Sequence, residues 1–251
     1  MTTTVLATRG LSKRFGSLVV ARDIEIALPK GVRYALIGPN GAGKTTLINL
    51  MTGMLRPDSG QIVLGEDDVT ALEPQQRVRR GLARTFQINT LFPSLNALEA
   101  VTLAVAERRN EAGQFWSNLA THKESIEEAY EILATLRLGD ACYQPTRELP
   151  YGRQRLLEIA LALATRPKVL LLDEPAAGVP QEESGDIFEA VANLSDELTL
   201  LFIEHDMHVV FRFASHIIVM VGGAIFTQGT PAEIAADPRV REVYLGTRHH
   251  G

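Results

Sequence analysis

Short apolar runs alternate with helix-like patterns along most of this 251-residue chain. Apolar runs bounded by turn residues predict strands at residues 5–11, 24–28, 34–37, 61–64, 83–86, 169–172, 199–203, 217–221 and 224–228. The runs at 169–172 and 199–203 contain no charged residue, which is typical of parallel strands that are buried on both faces. Helical periodicity at residues 75–80 and 181–194 separates strands from one another. The order of these elements predicts an α/β fold around a parallel sheet.

Residues 88–151 differ from the rest of the chain because helical patterns dominate there. Helices are predicted at residues 97–108 and 122–136, and another is predicted to begin near Gly152. We expect residues 88–151 to form a helical subdomain that is inserted into a single domain spanning residues 1–251.

A glycine-rich loop lies between the strand at 34–37 and the helix that follows it. Residues 38–45, Gly-Pro-Asn-Gly-Ala-Gly-Lys-Thr, fit the pattern G-x-x-x-x-G-K-[ST]. Backbone N–H groups, the positive end of the helix dipole and a lysine ammonium would all point at one anionic group. The alternative is a chance glycine turn before an ordinary helix. We predict a triphosphate cradle whose candidate residues are Gly38, Asn40, Gly41, Gly43, Lys44, Thr45 and Thr46.

Polar residues follow three further strands, and each suits one requirement of phosphoryl-bond hydrolysis. Asp173 and the Thr45 hydroxyl could bind Mg²⁺, and Glu174 could polarise the attacking water as general base. His205 could hold the γ-phosphate or the water, and Gln87 could touch the metal or the water. A solvated strand end, a structural histidine and a commonplace glutamine are the alternatives.

Composition and charge narrow the class of protein. A net charge of −5 argues against a general nucleic-acid-binding surface, so we expect no nucleic-acid partner. The single cysteine, Cys142, excludes an intrachain disulfide, and we interpret it as a small apolar filler rather than a catalytic thiol. The first fifteen residues lack the apolar segment of a signal peptide, so we expect the protein to stay in the compartment where it is made.

Residues 213–232 carry no Asp, Glu, Lys or Arg and have the length of a membrane span. His216 and the pair Gly222-Gly223 interrupt this segment. We therefore predict two short strands joined by a tight Gly-Gly turn instead of a transmembrane helix.

These motifs, in this order, resemble the ATP-binding subunit of an ABC transporter over nearly the whole chain. Residues 38–46 resemble the Walker A loop, 169–174 the Walker B strand with its catalytic glutamate, Gln87 the Q-loop and His205 the switch histidine. The resemblance implies ATP and Mg²⁺ as ligands and a P-loop NTPase core with an N-terminal antiparallel β subdomain and an inserted helical subdomain. It further implies that Phe15 stacks on adenine and that Tyr151 and Gly152 belong to the signature segment.

Six shorter segments resemble the importer subunits that serve branched-chain amino acids: residues 81–87, 91–95, 151–152, 173–178, 203–207 and 244–246. The resemblance implies membrane permease subunits, a second ABC ATPase subunit and, indirectly, a solute-binding protein as partners. It also implies a place on the cytoplasmic face of the cell membrane. The apolar run of Leu91, Phe92, Leu95 and Leu98 directly after Gln87 predicts that residues 88–98 dock on the permease, and packing within the helical subdomain is the alternative. Import of urea, amides or aromatic acids, a lipid or exporter-type ATPase, and a non-transport ABC ATPase are the alternatives.

Two positions depart from the family pattern. Pro150 stands where the signature segment usually carries serine, and Pro180 stands where the D-loop usually carries Asp or Asn. Proline has neither a hydroxyl nor a backbone N–H, so the signature loses two donors, for which Arg153 could partly compensate. We expect a weakened signature and pairing with a non-identical ATPase.

Overall fold

Ten strands form two sheets in the computed structural model, which describes residues 3–85, 94–111 and 123–246. The strands are β1 Thr4–Phe15, β2 Leu18–Pro29, β3 Arg33–Ile37, β4 Ser59–Leu64, β5 Asp67–Asp68, β6 Leu82–Arg84, β7 Val169–Asp173, β8 Thr199–Ile203, β9 His216–Val221 and β10 Ala224–Gly229. One sheet has the order β2-β1-β4-β5 and is antiparallel. The other has the order β10-β9-β3-β8-β7-β6.

The second sheet brings the ends of its central strands to one edge. β3 runs parallel to both β8 and β9, and β7 runs parallel to β8. Ile203 at the end of β8 lies opposite Leu36 of β3 and opposite Asp173 of β7. Residues that follow these strands therefore leave the sheet at the same edge, where ligand groups of open α/β sheets lie.

Nine α-helices are described, and they are α1 Lys44–Thr52, α2 Pro74–Arg79, α3 Ala97–Arg108, α4 Lys123–Thr135, α5 Tyr151–Leu163, α6 Gln181–Ala192, α7 Met207–Phe213, α8 Pro231–Ala236 and α9 Pro238–Gly246. The chain divides into two units. The first comprises Met1–Leu82, Lys168–Glu174 and Ser195–Gly251, and the second comprises Ala83–Pro167 and Pro175–Leu194. The first unit holds every strand except the end of β6, together with α1, α2 and α7 to α9, and the second holds α3 to α6.

Helix α1 is a short helix whose ends are both set by glycine. It begins after Gly43 and ends at Gly53, both of which adopt left-handed backbone conformations. The Gly53 N–H donates to the Leu50 carbonyl, which closes the last turn. Leu47, Ile48 and Met51 are fully buried in the core of the first unit.

Charged side chains hold α3 and α4 together within the second unit. Arg108 makes two hydrogen bonds to the Glu128 carboxylate, at 2.7 and 2.6 Å, and Arg166 donates to the same carboxylate at 2.8 Å. The α3 N-terminus is closed by Asn96 and Glu99 in a reciprocal capping box. The predicted helical block at residues 88–151 falls within this unit, and the bounds of a helical subdomain stay a prediction.

The structure confirms the predicted strands, with β1 and β2 extending several residues further than expected and β6 ending at Arg84, before the end expected for the strand at 83–86. It also confirms the reading of residues 213–232 as two strands with a Gly222-Gly223 turn, and no described helix is long and apolar enough to cross a membrane. Cys142 is buried, as expected of a filler residue. The sequence analysis did not predict β5, α7, α8 or α9. Gln87, Phe86 and residues 88–93 lie outside the described part of the chain.

Candidate functional site

The loop between β3 and α1 contains two glycines, Gly38 and Gly43, that have no room for a side chain. A Cβ on Gly43 would lie 2.3 Å from the Val20 carbonyl oxygen, and one on Gly38 would lie 2.2 Å from the Met220 carbonyl oxygen. Gly43 precedes α1 with φ 100° and makes no side-chain cap. The first N–H groups of the helix therefore stay available to an anion, and the first turn carries no acidic residue that would compete.

Lys44 lies almost fully buried at the start of α1. Its Nζ donates to the Gly38 carbonyl at 2.8 Å and to the Pro39 carbonyl at 3.2 Å, so the ammonium folds back over its own loop. Burial lowers the pKa of Lys44, while the charges of Glu174 and Asp173 oppose that shift. The cation and the two carboxylates therefore share one electrostatic environment.

The other residues predicted for the loop are accessible to a ligand. Asn40, Gly41 and Thr45 are exposed, and Thr46 is half-buried. Because their side chains and N–H groups surround the start of α1, the arrangement suits a polyanion with several oxygens.

Glu174 and His205 meet at the same edge of the sheet. The His205 Nε2 lies 2.6 Å from the Glu174 Oε1, and the Glu174 N–H donates to the Ile203 carbonyl at 3.2 Å. Glu174 adopts a left-handed backbone conformation with φ 51°, which is uncommon for a residue other than glycine. Such conformations persist where the surrounding structure imposes them, and they cluster at functional sites.

A metal ion at this edge would rely on few protein ligands. No group of three or more His, Cys, Asp or Glu side chains in the described residues could hold a metal by itself. Mg²⁺ usually keeps several waters and uses one or two carboxylates together with substrate phosphates. The half-buried Asp173 and the exposed Thr45 hydroxyl fit that modest donor set.

The remaining predicted residues lie on other elements or outside the described part of the chain. Phe15 ends β1 and is 52% exposed, so it is not a core residue, and the Lys13 ammonium lies 5.8 Å from its ring centroid. Tyr151 and Gly152 open α5 in the second unit. Gln87 lies outside the described residues.

The start of α5 carries an ordered polar network that the sequence analysis did not find. The Arg155 guanidinium forms a buried ion pair with Glu158 at 3.0 Å and donates to the Tyr151 hydroxyl at 2.6 Å. Arg153, whose charge was predicted to compensate partly for the donors lost at Pro150, donates a hydrogen bond to the Asp140 carboxylate at 2.8 Å. Pro150 is the N-cap residue and is exposed.

Two further features were missed by the sequence analysis. Asp206, the third polar residue after β8, accepts a hydrogen bond from the His208 N–H and is the N-cap of α7. The walls of the phosphate loop come from backbone atoms of Val20 and Met220, and carbonyl groups leave no signal in a sequence. The one sequence feature that could have indicated a close backbone approach here is the pair of glycines at 222 and 223.

Comparisons with known proteins agree with this geometry. A family model described as "ABC transporter" matches residues 21–177, and one described as "Branched-chain amino acid ATP-binding cassette transporter" matches residues 225–250. The chain is 37% identical to the "High-affinity branched-chain amino acid transport ATP-binding protein BraF" of Pseudomonas aeruginosa, covering 98% of this chain and 99% of that protein. It is 36% identical to the LivG protein of the same description from Escherichia coli, with the same coverage.

Solved structures resemble the fold over nearly its whole length. An ATP-binding cassette of an ABC transporter in its ADP conformation superposes with a TM-score of 0.84 at 32% identity, covering 98% of this chain and 100% of that one. A nucleotide-free ATP-binding cassette from an ABC transporter superposes with a TM-score of 0.83 at 33% identity, covering 96% and 98%.

Proposed function

The chain belongs to the ABC transporter family, and from that premise we propose that it is the ATPase subunit that powers import of branched-chain amino acids through a membrane permease. One observation carries the ATPase assignment. Lys44, which caps the phosphate loop, shares its electrostatic environment with Asp173 and Glu174, and Glu174 contacts His205 at the same sheet edge. The amino-acid assignment rests on the similarity to the branched-chain amino acid transport proteins BraF and LivG.

ATP would bind with its phosphates over the start of α1. Backbone N–H groups at the start of α1 and the Lys44 ammonium would bind phosphate oxygens, and Lys44 would exchange its two carbonyl acceptors for them. The phosphates would also contact four residues of the loop and the first turn of α1, namely Asn40, Gly41, Thr45 and Thr46. The exposed Phe15 ring would stack on the adenine, since an accessible aromatic face binds any base.

Hydrolysis would use Glu174 as the general base for the attacking water. His205 would orient Glu174 or the water, because its ring already lies within hydrogen-bonding distance of the carboxylate. Thr45, Asp173 and Gln87 would hold Mg²⁺, which when bound neutralises charge on the phosphates.

The phosphate loop is tested by Lys44→Ala. A charge-assisted contact to phosphate contributes about 1.5–3 kcal/mol, so the substitution should weaken ATP binding roughly tenfold to more than a hundredfold by isothermal titration. Lys30→Ala is the matched control, because Lys30 is exposed and pairs only weakly with Glu197 at the surface. Equal ATP affinity in Lys44→Ala and wild type would remove the basis for this site.

The solute is tested with the assembled transporter. The subunit, its permease and its solute-binding protein, reconstituted in vesicles with ATP on the cytoplasmic side, should accumulate leucine in preference to urea, amides and aromatic acids. Accumulation of one of those solutes instead, or ATP-driven export, would reject the amino-acid assignment. The subunit would lie on the inner face of the membrane and dock there through residues 88–98.

The second ATPase subunit is proposed to be non-identical. Each ATP site of the paired cassettes would combine Walker residues of one chain with the signature of the other, and Pro150 weakens the signature that this chain contributes. Arg153 already pairs with Asp140, so its charge is partly engaged. Purification of the transporter from its native operon should yield two different ATPase chains. Two copies of this chain and no other would count against the pairing.

A further inference from the structure

Gly223 connects the phosphate loop to a distant strand through its own backbone. Its N–H donates to the Ala42 carbonyl at 3.0 Å, and its carbonyl accepts from the Arg22 N–H at 2.7 Å. Ala42 is the residue between Gly41 and Gly43 of the phosphate loop, and Arg22 lies in β2. One residue of the β9–β10 turn therefore links the loop to β2 through both of its backbone polar groups.

The fit around Gly223 is so tight that a side chain there would require the neighbouring backbone to shift by a few tenths of an ångström. A Cβ there would lie 3.0 Å from the Val20 carbonyl carbon and 3.1 Å from its oxygen, which are backbone atoms that cannot rotate away. The same Val20 oxygen lies 2.3 Å from where a Cβ on Gly43 would be. Any shift of Val20 caused at position 223 would therefore reach Gly43, the residue immediately before α1.

The neighbouring glycine provides an internal comparison. Gly222 has φ 55° and Gly223 has φ 78°, so both adopt a left-handed conformation that favours glycine. A Cβ on Gly222 would meet nothing within 4 Å, and Gly222 is exposed whereas Gly223 is buried. A side chain would meet the same left-handed backbone conformation at both positions, whereas only Gly223 contacts the phosphate loop.

We propose that Gly223 is a positioning residue for the phosphate loop and that it sets ATP affinity without contacting ATP. Its N–H fixes the carbonyl of Ala42, which orients the adjoining peptides of the loop so that their N–H groups face the phosphates. Its missing side chain allows β2 to approach the start of α1. This inference rests on the proposed ATP site at that loop.

The test compares Gly223→Ala with Gly222→Ala in the full-length chain. Both substitutions should lower the unfolding temperature, because both force alanine into a left-handed conformation. Only Gly223→Ala should weaken ATP binding, by about fivefold or more, measured by isothermal titration well below both unfolding temperatures. Equal ATP affinity in the two variants would overturn the proposal, since backbone strain alone would then account for the effects.

Asparagine at the same two positions separates strain from contact. Asparagine tolerates the left-handed conformation better than alanine, so Gly223→Asn and Gly222→Asn should both regain stability. Gly223→Asn should still bind ATP more weakly, because its Cβ meets Val20 as an alanine Cβ does. Recovery of wild-type affinity in Gly223→Asn would show that only strain mattered.

A measurement on the wild-type chain covers the case in which Gly223 variants do not fold. If the Gly223 contact favours the ATP-binding loop, then ATP must favour the contact to the same extent. The Gly223 amide should therefore exchange its hydrogen more slowly with ATP than without it, and the Gly222 amide should change less. Equal slowing of both amides, or none, would contradict the proposal.

The outcome also distinguishes this inference from the proposed function. Loss of binding in Lys44→Ala with unchanged binding in Gly223→Ala would retain the ATP site and reject the positioning role. Unchanged binding in Lys44→Ala would reject the ATP site itself.

Discussion

Replacing Arg77 by methionine should strongly destabilise the first unit. Arg77 lies in α2 and is 1% exposed, and its guanidinium donates to four backbone carbonyls. Two of these belong to Leu50 and Met51 in the last turn of α1, where carbonyls lack the N–H four residues further on, and the Leu50 carbonyl accepts only the closing Gly53 N–H besides Arg77 among the described hydrogen bonds. The positive charge of the Arg77 guanidinium also interacts favourably with the negative C-terminal end of the α1 dipole. Methionine keeps an unbranched apolar chain and removes every donor.

The magnitude follows from the number of carbonyls that lose a donor. A hydrogen bond to a charged group contributes about 1.5–3 kcal/mol, so a simple sum over four bonds is roughly 6–12 kcal/mol. That sum is too large, because burying a guanidinium costs several kcal/mol, which methionine avoids. We expect a net loss of about 3–5 kcal/mol, as for other broken buried charge contacts. A chain of this size should then unfold about 6–20 °C lower.

Thermal unfolding followed by circular dichroism measures this loss, together with hydrogen exchange of the α1 amides. The second measurement is needed because two units can unfold separately. Arg79→Met is the matched control, since Arg79 is exposed on the same short helix. Arg77→Lys should fall between Arg77→Met and wild type, because lysine keeps the charge but offers fewer donors. An Arg77→Met variant no less stable than Arg79→Met would refute the argument.

Three further substitutions test the site and the second unit. Glu174→Gln should keep ATP bound and slow phosphate release about 10²–10⁴-fold, and unchanged turnover would assign the base to another residue. Phe15→Ala should weaken ATP binding roughly fivefold to a hundredfold and leave inorganic triphosphate binding unchanged; equal losses for both would exclude base stacking. Hydrogen bonding from Arg108 lowers the pKa of the Glu128 carboxyl in the folded protein. The ionised Glu128 carboxylate therefore stabilises the fold above the pKa of an unfolded glutamate, about 4.3, and this stabilisation is lost as the pH falls through the lower pKa of the folded state. Glu128→Gln should therefore lower the unfolding temperature at pH 7 and not near pH 2, whereas the exposed Glu127→Gln should change little at either pH, and a pH-independent loss would contradict the linkage.

The sequence predicted those elements whose pattern is local. Strands such as β7 and β8 are uninterrupted apolar runs, and α3 has an apolar period and a capping box at Asn96, so both signals lie within the element itself. Helices α7 and α8 have only seven and six residues, so each offers barely two turns in which a helical period can show, and of the helices this short only α2 was predicted. β5 has two residues and depends on pairing with β4.

The site was predictable to the extent that its chemistry lies in side chains. Lys44, Asp173, Glu174 and His205 each follow a predicted strand, and parallel pairing brings strand ends to one edge. The contact between Glu174 and His205 depends on a left-handed backbone at Glu174, for which the sequence carries no signal. The support of the loop by carbonyl groups was equally hidden.

Helix α1 is held at both ends by groups that would not touch a nucleotide. Its start lies against backbone from β2 and from the β9–β10 turn, and its final carbonyls bind Arg77 of α2. The apolar side chains between those ends could pack in a helix displaced by a fraction of an ångström, because burial is not directional. Hydrogen bonds and backbone contacts are directional, and charge recognition at phosphate depends on distances of that order. The core therefore accounts for the existence of the helix, and the polar contacts at its two ends account for the position of its N-terminus.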